Sequence, residues 1–326
     1  MVDKDKTTII AIGGPTASGK TSLSVELAKA WNGEIISADS MQIYKGLDIG
    51  TAKATPEEQQ GIPHHLVDIL SPEQRFSAAD FVERAQQCIE EIVQRGKLPI
   101  VVGGTGLYIE SLLKGVQFTK EEFDPNLRNK LEQEAALYGA EEMHRRLQQI
   151  DPEYAATLHP NNQGRVLRAI ELYLQTGTTM TEQRKNSLPP QQPYNSLLLV
   201  LGCENRQTLY DRINLRVDQM VQQGLEQEAR YVYQHKHTFA TAAQAIGYKE
   251  FFPYFEQQQT LEESVEQLKQ ATRKYAKRQL TWFRRMEGIH WLQLDQNPLQ
   301  EAMSLVEQHL QKVEGNCGKE KLLWDK

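Results

Sequence analysis

The residues of this chain best suited to chemistry lie close to its start. Gly14-Pro15-Thr16-Ala17-Ser18-Gly19-Lys20-Thr21 fits the pattern G-x-x-x-x-G-K-[ST]. Glycines at those places let the backbone turn so that successive N–H groups point at phosphate oxygens, while Lys20 adds a charge and Thr21 a hydroxyl for Mg2+. The helix that the pattern predicts from Thr21 adds its positive end. A glycine turn without a ligand is the plainer alternative. The loop alone specifies a polyphosphate with a metal and does not say whether that compound is a nucleotide. In phosphate-loop hydrolases an acid at the end of a neighbouring apolar strand serves the metal and the attacking water. Here that strand ends in Gly103-Gly104-Thr105 and offers no acid. The carboxylate at hand is Asp39, suited to act as a base on an acceptor group brought beside the phosphates. Its plainer roles are a helix cap or a group behind a metal ligand.

These residues need a frame. Thr7 to Gly13 is a short β-branched apolar run, "EIISAD" and "LPIVVGG" are further buried-type strands, and helical periodicity occupies Ser22 to Trp31 and Ala78 to Arg95. Strands alternating with helices predict βαβ units and a parallel sheet covered on both faces. In such sheets ligands collect beyond the carboxyl ends of the strands, so the glycine loop, Asp39-Ser40 and Gly103-Gly104-Thr105 are expected on one rim. From about Thr119 to Pro190 strand signals vanish and amphipathic helices take over, among them "QGRVLRAIELYLQTG". The chain then passes through "LPPQQPY" into strand-like "NSLLLVLGC", and later into "IHWLQLD". The fold class predicted is α/β, a P-loop NTPase-like parallel-sheet core over 1–118 and 191–314 with a helical insertion at 119–190, followed by a flexible tail at 315–326.

Composition bounds the setting. The 326 residues are 39% hydrophobic and 25% charged, close to soluble averages, and no apolar run approaches the length needed to cross a bilayer. "MVDKDK" leads straight into a strand rather than into a cleavable apolar segment. Cys88, Cys203 and Cys317 are far apart and not in metal-ligand spacing, which favours a reducing cytoplasm and argues against a zinc site. The net charge of −6 discourages nucleic-acid binding until its distribution is considered. From Lys269 to Arg285 the chain carries Lys269, Arg273, Lys274, Lys277, Arg278, Arg284 and Arg285 with no acid among them. A solvated helical face is the bland reading of that run; like charges at helical spacing also suit a polyanion nearby.

Taken together, "GPTASGKT" at 14–21, "ADSMQIYKGLDIGTAK" at 38–53, "HHLVD" at 64–68, "FSAADF" at 76–81, "VVGGTGLYI" at 101–109, "RVDQMVQQGLEQEA" at 216–229, "QAIGYKEF" at 244–251 and "TRKYAKRQLTWFRR" at 272–285 resemble the tRNA dimethylallyltransferases, or tRNA isopentenyltransferases. The resemblance spans residue 8 to about 295. It implies that Gly14, Pro15, Thr16, Ala17, Ser18, Gly19, Lys20 and Thr21 cradle dimethylallyl diphosphate, with Mg2+ on Thr21. The five-carbon group then passes to an exocyclic adenine amine beside a tRNA anticodon. Asp39 takes the proton from nitrogen, an amine too poor as a nucleophile without a base, while Thr16 and Arg216 attend the diphosphate. Arg216 as an ordinary surface arginine is the alternative. An adenine must swing out of the anticodon loop to react; the resemblance lines its pocket with Asp39, Ser40, Met41 and Gln42 and sets Thr105 and Arg128 near it. The insertion is expected to grip the anticodon stem through Gly164, Arg165, Val166, Leu167 and Arg168. Gly164 stands where a polar side chain is commoner in the family, and Arg165 and Arg168 can otherwise be plain surface charges. A cytoplasmic monomer with no membrane contact and no obligate protein partner is implied. A small-molecule or nucleoside kinase shares the loop and the carboxylate, and an RNA-binding scaffold with a relic loop is told against by intact Lys20 and Thr21.

Overall fold

A computed structural model of the chain describes residues 6–118 and 124–315. These divide into two compact units, one of residues 6–113 and 193–315 and one of residues 114–118 and 124–192.

The first unit is organised by six strands: β1 (Thr8–Gly13), β2 (Gly33–Ser37), β3 (His64–His65), β4 (Leu98–Gly103), β5 (Asn195–Gly202) and β6 (Ile289–Gln293). They lie in the order β3-β2-β4-β1-β5-β6, and every pairing is parallel. A parallel sheet is buried on both faces, which is why its strands read as continuous apolar runs. Ile10, Ile12, Ile35, Ile100, Leu199 and Leu292 form one face and pack with α1 (Lys20–Ala30) and α7 (Pro298–Gly315). Ile9, Ala11, Ile36, Val101 and Val200, alternating with them, are equally buried. On that side α2 (Ala78–Gln94) packs against β2 and β4. The longer helices besides these are α3 (Gly106–Lys114), α4 (Arg206–Gln222), α5 (Leu225–Gln234) and α6 (Leu261–Phe283). A separate apolar cluster, with Tyr44, Val217, Leu225, Phe239, Tyr248 and Leu268 at its centre, joins α4, α5 and α6 to the segment that follows β2.

Helix starts differ in a way that matters. The α2 and α6 starts carry reciprocal capping boxes, Ser77 with Asp80 and Thr260 with Glu263. By contrast α1 begins after Gly19 at φ 84°, with no side-chain cap, so its first N–H groups face the preceding loop rather than a side chain. A left-handed backbone of that kind favours glycine.

The second unit is all helical, with helices at Pro125–Tyr138, Ala140–Ile150, Pro152–Ala155, Gln163–Thr176 and Met180–Asn186. It has its own core, including Leu131, Met143, Leu147, Tyr154, Val166 and Ile170. The backbone N–H of Gln117 donates to the Ser187 carbonyl at 2.8 Å, so the incoming and outgoing chains run side by side. The unit begins a few residues before 119 and ends just after 190. The tail expected at 315–326 lies outside the described residues but for Gly315, which closes α7.

Candidate active site

Beyond the carboxyl ends of β1, β2 and β4 lies a cavity of about 350 Å3. Thr16, Ala17, Lys20 and Thr21 line it from the glycine loop, Asp39 to Gln42 from the end of β2, Gly103 and Gly104 from the end of β4, and Arg216 from α4. Gly14, Pro15 and Ser18 are buried behind the loop, and Gly19 is exposed at the start of α1. The three strand-end motifs therefore share one rim.

Charge is arranged around this space. Lys20 donates from Nζ to the Pro15 carbonyl at 2.6 Å. Burial and the neighbouring Arg216 guanidinium bring the Lys20 ammonium down to about 7, with Asp39 acting the other way. Burial pushes the Asp39 carboxyl above its ordinary value, against the pull of the Met41 and Gln42 amides, Lys20 and Arg216. Its Oδ1 accepts from Met41 N at 2.9 Å and Gln42 N at 3.4 Å. Asp39 thus caps the turn that follows it, and that same bond fixes the carboxylate against the cavity, so capping and facing the cavity are one arrangement. Arg216 lines the cavity rather than the outer surface of α4, although Leu215 beside it is exposed.

The wall formed by residues 40–53 is built as a rigid piece. Gln42 accepts from Ser37 Oγ at 3.0 Å and donates to the Thr51 and Ala52 carbonyls at 3.2 Å. Lys53 Nζ donates to the Tyr44 carbonyl at 2.6 Å and to Asp48 at 2.7 Å, and pairs with Asp68. Glu228 of α5 accepts the backbone N–H groups of Asp48, Ile49 and Gly50 at 2.8, 3.0 and 2.8 Å, and the Tyr248 hydroxyl at 2.9 Å. Three backbone donors converging on one carboxylate make an anion nest filled by the protein itself.

Two cavity residues escape motif reasoning. Gln279 of α6 is 5% exposed. Its Oε1 accepts from Thr16 N and its Nε2 donates to the Gly104 carbonyl, each at 2.9 Å. A Cβ on residue 104 would lie 2.1 Å from that Nε2, so glycine is required there for close approach. Tyr275, one turn earlier, lines the cavity with Thr105 beside its hydroxyl. Nothing in a basic run marks a buried glutamine. Thr105 itself accepts from Ser40 N at 3.2 Å. The basic run is partly spoken for: Lys269 pairs with Asp218 at 2.6 Å, Arg273 bonds Asn214 at 2.6 Å and Glu266 at 3.0 Å, and Arg278 lies over the Tyr275 ring.

The remaining candidates belong to the second unit. Arg128 bonds Glu132 at 2.8 Å and lies 3.9 Å from the buried Glu171, to which Arg168 donates at 3.1 Å. Arg165 and Arg168 are exposed, and Gly164 has open space around it. Val166 and Leu167, at 0% and 3% exposure, point into the helical core. Their side chains cannot touch a ligand, so any contact from this stretch comes from its arginines and its backbone.

Fold and site define a class: a parallel-sheet α/β protein with a cavity at its strand ends lined by a lysine, an arginine and an aspartate. The chain belongs to the IPP transferase family, whose sequence profile matches residues 42–286. It is 49% identical to a tRNA dimethylallyltransferase of Bacillus cytotoxicus over 97% of this chain and 100% of that one. The crystal structure of the full-length tRNA isopentenylpyrophosphate transferase of Bacillus halodurans matches with TM-score 0.71 and 43% identity, over 97% of this chain and 100% of that one. A eukaryotic dimethylallyltransferase acting on tRNA matches with TM-score 0.80 and 30% identity, over 94% and 80%.

Proposed function

We propose that the protein transfers a dimethylallyl group from dimethylallyl diphosphate to N6 of the adenosine 3′-adjacent to the anticodon of tRNA, releasing diphosphate. The observation that carries this is the facing of Asp39 by Lys20 and Arg216 across one cavity with the phosphate loop. Relatives named for this chemistry over nearly their whole length support it.

On this reading the core is P-loop NTPase-like, and the loop holds the diphosphate through backbone N–H groups and Lys20. Nitrogen attacks the allylic carbon, the carbon–oxygen bond breaks, and the electron pair leaves with the diphosphate. Lys20 and Arg216 neutralise the charge developing on the leaving oxygen, and Thr16 hydrogen-bonds the same group. Asp39 takes the N6 proton. Its raised affinity for protons brings it nearer to the working pH of a general base. The donor chemistry fits Mg2+: Thr21, which carries a hard hydroxyl oxygen, lines the cavity. An ion that keeps its waters and binds largely through substrate phosphates needs no protein cage. Thr21 would hold it, and it would supply Lewis-acid stabilisation of the departing diphosphate.

The second unit is the proposed tRNA grip, with Arg128, Arg165 and Arg168 as phosphate contacts. A monomer is the proposed state, and a tRNA substrate supports the cytoplasm. Among the described residues no helix is long and apolar enough to cross a membrane. The test is incubation with total tRNA and either labelled dimethylallyl diphosphate or labelled ATP. Label is expected on RNA from the first and on no acceptor from the second. Asp39→Ala is expected to keep tRNA binding and lose turnover by roughly 100- to 10,000-fold, the range for a positioned base. Undiminished turnover would remove Asp39 from the chemistry.

A further inference from the structure

Gln279 joins two parts of the site that the reaction uses separately. On one side its amide oxygen accepts the Thr16 N–H, within the phosphate loop; on the other its amide nitrogen donates to the carbonyl of Gly104, at the end of β4. The next residue, Thr105, takes the N–H of Ser40, and Ser40 adjoins Asp39. A continuous path of short contacts therefore runs from the cradle of the leaving group to the base, and Gln279 is its middle. A side-chain amide accepts from an N–H and donates to a carbonyl in one fork at any pH, which a carboxyl of the same length does only when protonated, and asparagine is a methylene too short. One turn of helix further on, Trp282 Nε1 donates to Glu110 of α3 at 3.0 Å and so fixes the register of α6 that delivers the amide.

We propose that Gln279 is a positioning residue that sets the separation between the phosphate loop and Asp39. The inference rests on the reading of that loop as the diphosphate cradle. Gln279 touches neither substrate in this account; it acts through the Thr16 backbone and the β4 end. Removing the amide takes this partner from the Thr16 N–H and from the buried Gly104 carbonyl, and the loop and the base then lose their common reference.

Two variants test it. Gln279→Met keeps length without hydrogen bonds, and is expected to lower kcat for tRNA prenylation by roughly 10- to 100-fold, as for other residues that hold a ligating group, with the tRNA KM within about twofold. Gln279→Glu accepts from Thr16 N in either protonation state but donates to Gly104 only when protonated. Its kcat relative to wild type should therefore rise as the solution is taken from about pH 8 to about pH 6, a burial-raised carboxyl titrating in that span. A purely structural glutamine predicts no such profile. If Gln279→Met fails to fold by thermal melting, the Gln279→Glu profile decides. A folded Gln279→Met with wild-type kcat, or a Gln279→Glu deficit that is flat with pH, overturns the proposal. A wild-type enzyme that leaves tRNA unmodified removes the functional reading and this inference with it, whereas an active wild type matched by Gln279→Met removes this inference alone.

Discussion

Lys20 shows how far one side chain's environment can be turned into a measurement. Burial, and then Arg216, hold its ammonium at about 7 instead of the ordinary 10.5. A trianionic alkyl diphosphate in the cradle favours the charged form, so the affinity of Lys20 for protons must rise on binding. Between about 7 and the higher value in the complex, binding takes up a proton. The Lys20 contribution to affinity is then greatest below about pH 7 and declines as pH rises above it. Calorimetric titration of dimethylallyl diphosphate at about pH 8, in buffers of different ionisation enthalpy, is expected to show uptake approaching one proton. Lys20→Met is expected to abolish the uptake and to weaken binding. Uptake that persists in Lys20→Met assigns the proton to another group. That the loop and Asp39 share one cavity was legible in the sequence, because residue type at fixed spacing puts both at strand ends. Gln279 was not, because its role lies in two hydrogen bonds to backbone atoms 263 and 175 residues away, and no local pattern encodes those.

At the scale of elements, the edge of the sheet next to β2 was the least legible part of the core. β3 is two histidines, paired as Ile35 with His64 and Ile36 with His65, too short and too polar to show a period. What fastens it is a buried charge. Glu34, 3% exposed in β2, accepts from His65 Nε2 at 2.7 Å, Arg95 at 2.7 Å and Lys97 at 2.9 Å. Burial would raise the Glu34 carboxyl, but Arg95, Lys97 and His65 more than offset it and hold it at about 2. Because the folded value lies below the ordinary 4.5, the stabilisation is complete above about pH 4.5 and is lost as pH falls through about 2. Glu34→Ala is expected to cost about 3 kcal/mol near neutral pH, the low end for a broken buried pair since Arg95 and Lys97 can regain water. Denaturant unfolding at about pH 7 and about pH 3 checks this. The deficit should shrink at the lower pH, and an equal deficit at both would show that packing, not charge, is lost. The long apolar strands needed no such fastening, and it is those that alternation and hydrophobicity made readable.

At the scale of the whole chain, the two units answer for different substrates on the proposed reading, and their separate cores make that separable by experiment. The helical unit buries Leu131, Leu147, Val166 and Ile170 among its own helices, and the sheet unit is held by clusters drawn only from residues outside 114–192. The change of pattern near residue 119 marked this division in the sequence. The boundary shifted by a few residues because the flanking chain pairs with itself, Gln117 to Ser187, through backbone groups that leave no mark on side-chain pattern. That same bond makes a deletion geometrically reasonable, since a short glycine-rich turn can join two residues already in hydrogen-bond contact. A chain with residues 118–186 replaced in this way loses Arg128, Arg165 and Arg168. Its affinity for dimethylallyl diphosphate should stay within about threefold, because no cavity-lining residue is removed. Binding to tRNA should weaken, and the slope of log affinity against log salt should become shallower by about 2 to 3, one step of nearly unit size for each phosphate contact removed. An unchanged slope would place the charge that holds tRNA on the sheet unit, where Lys274, Lys277 and Arg278 of α6 would be the residues to neutralise next.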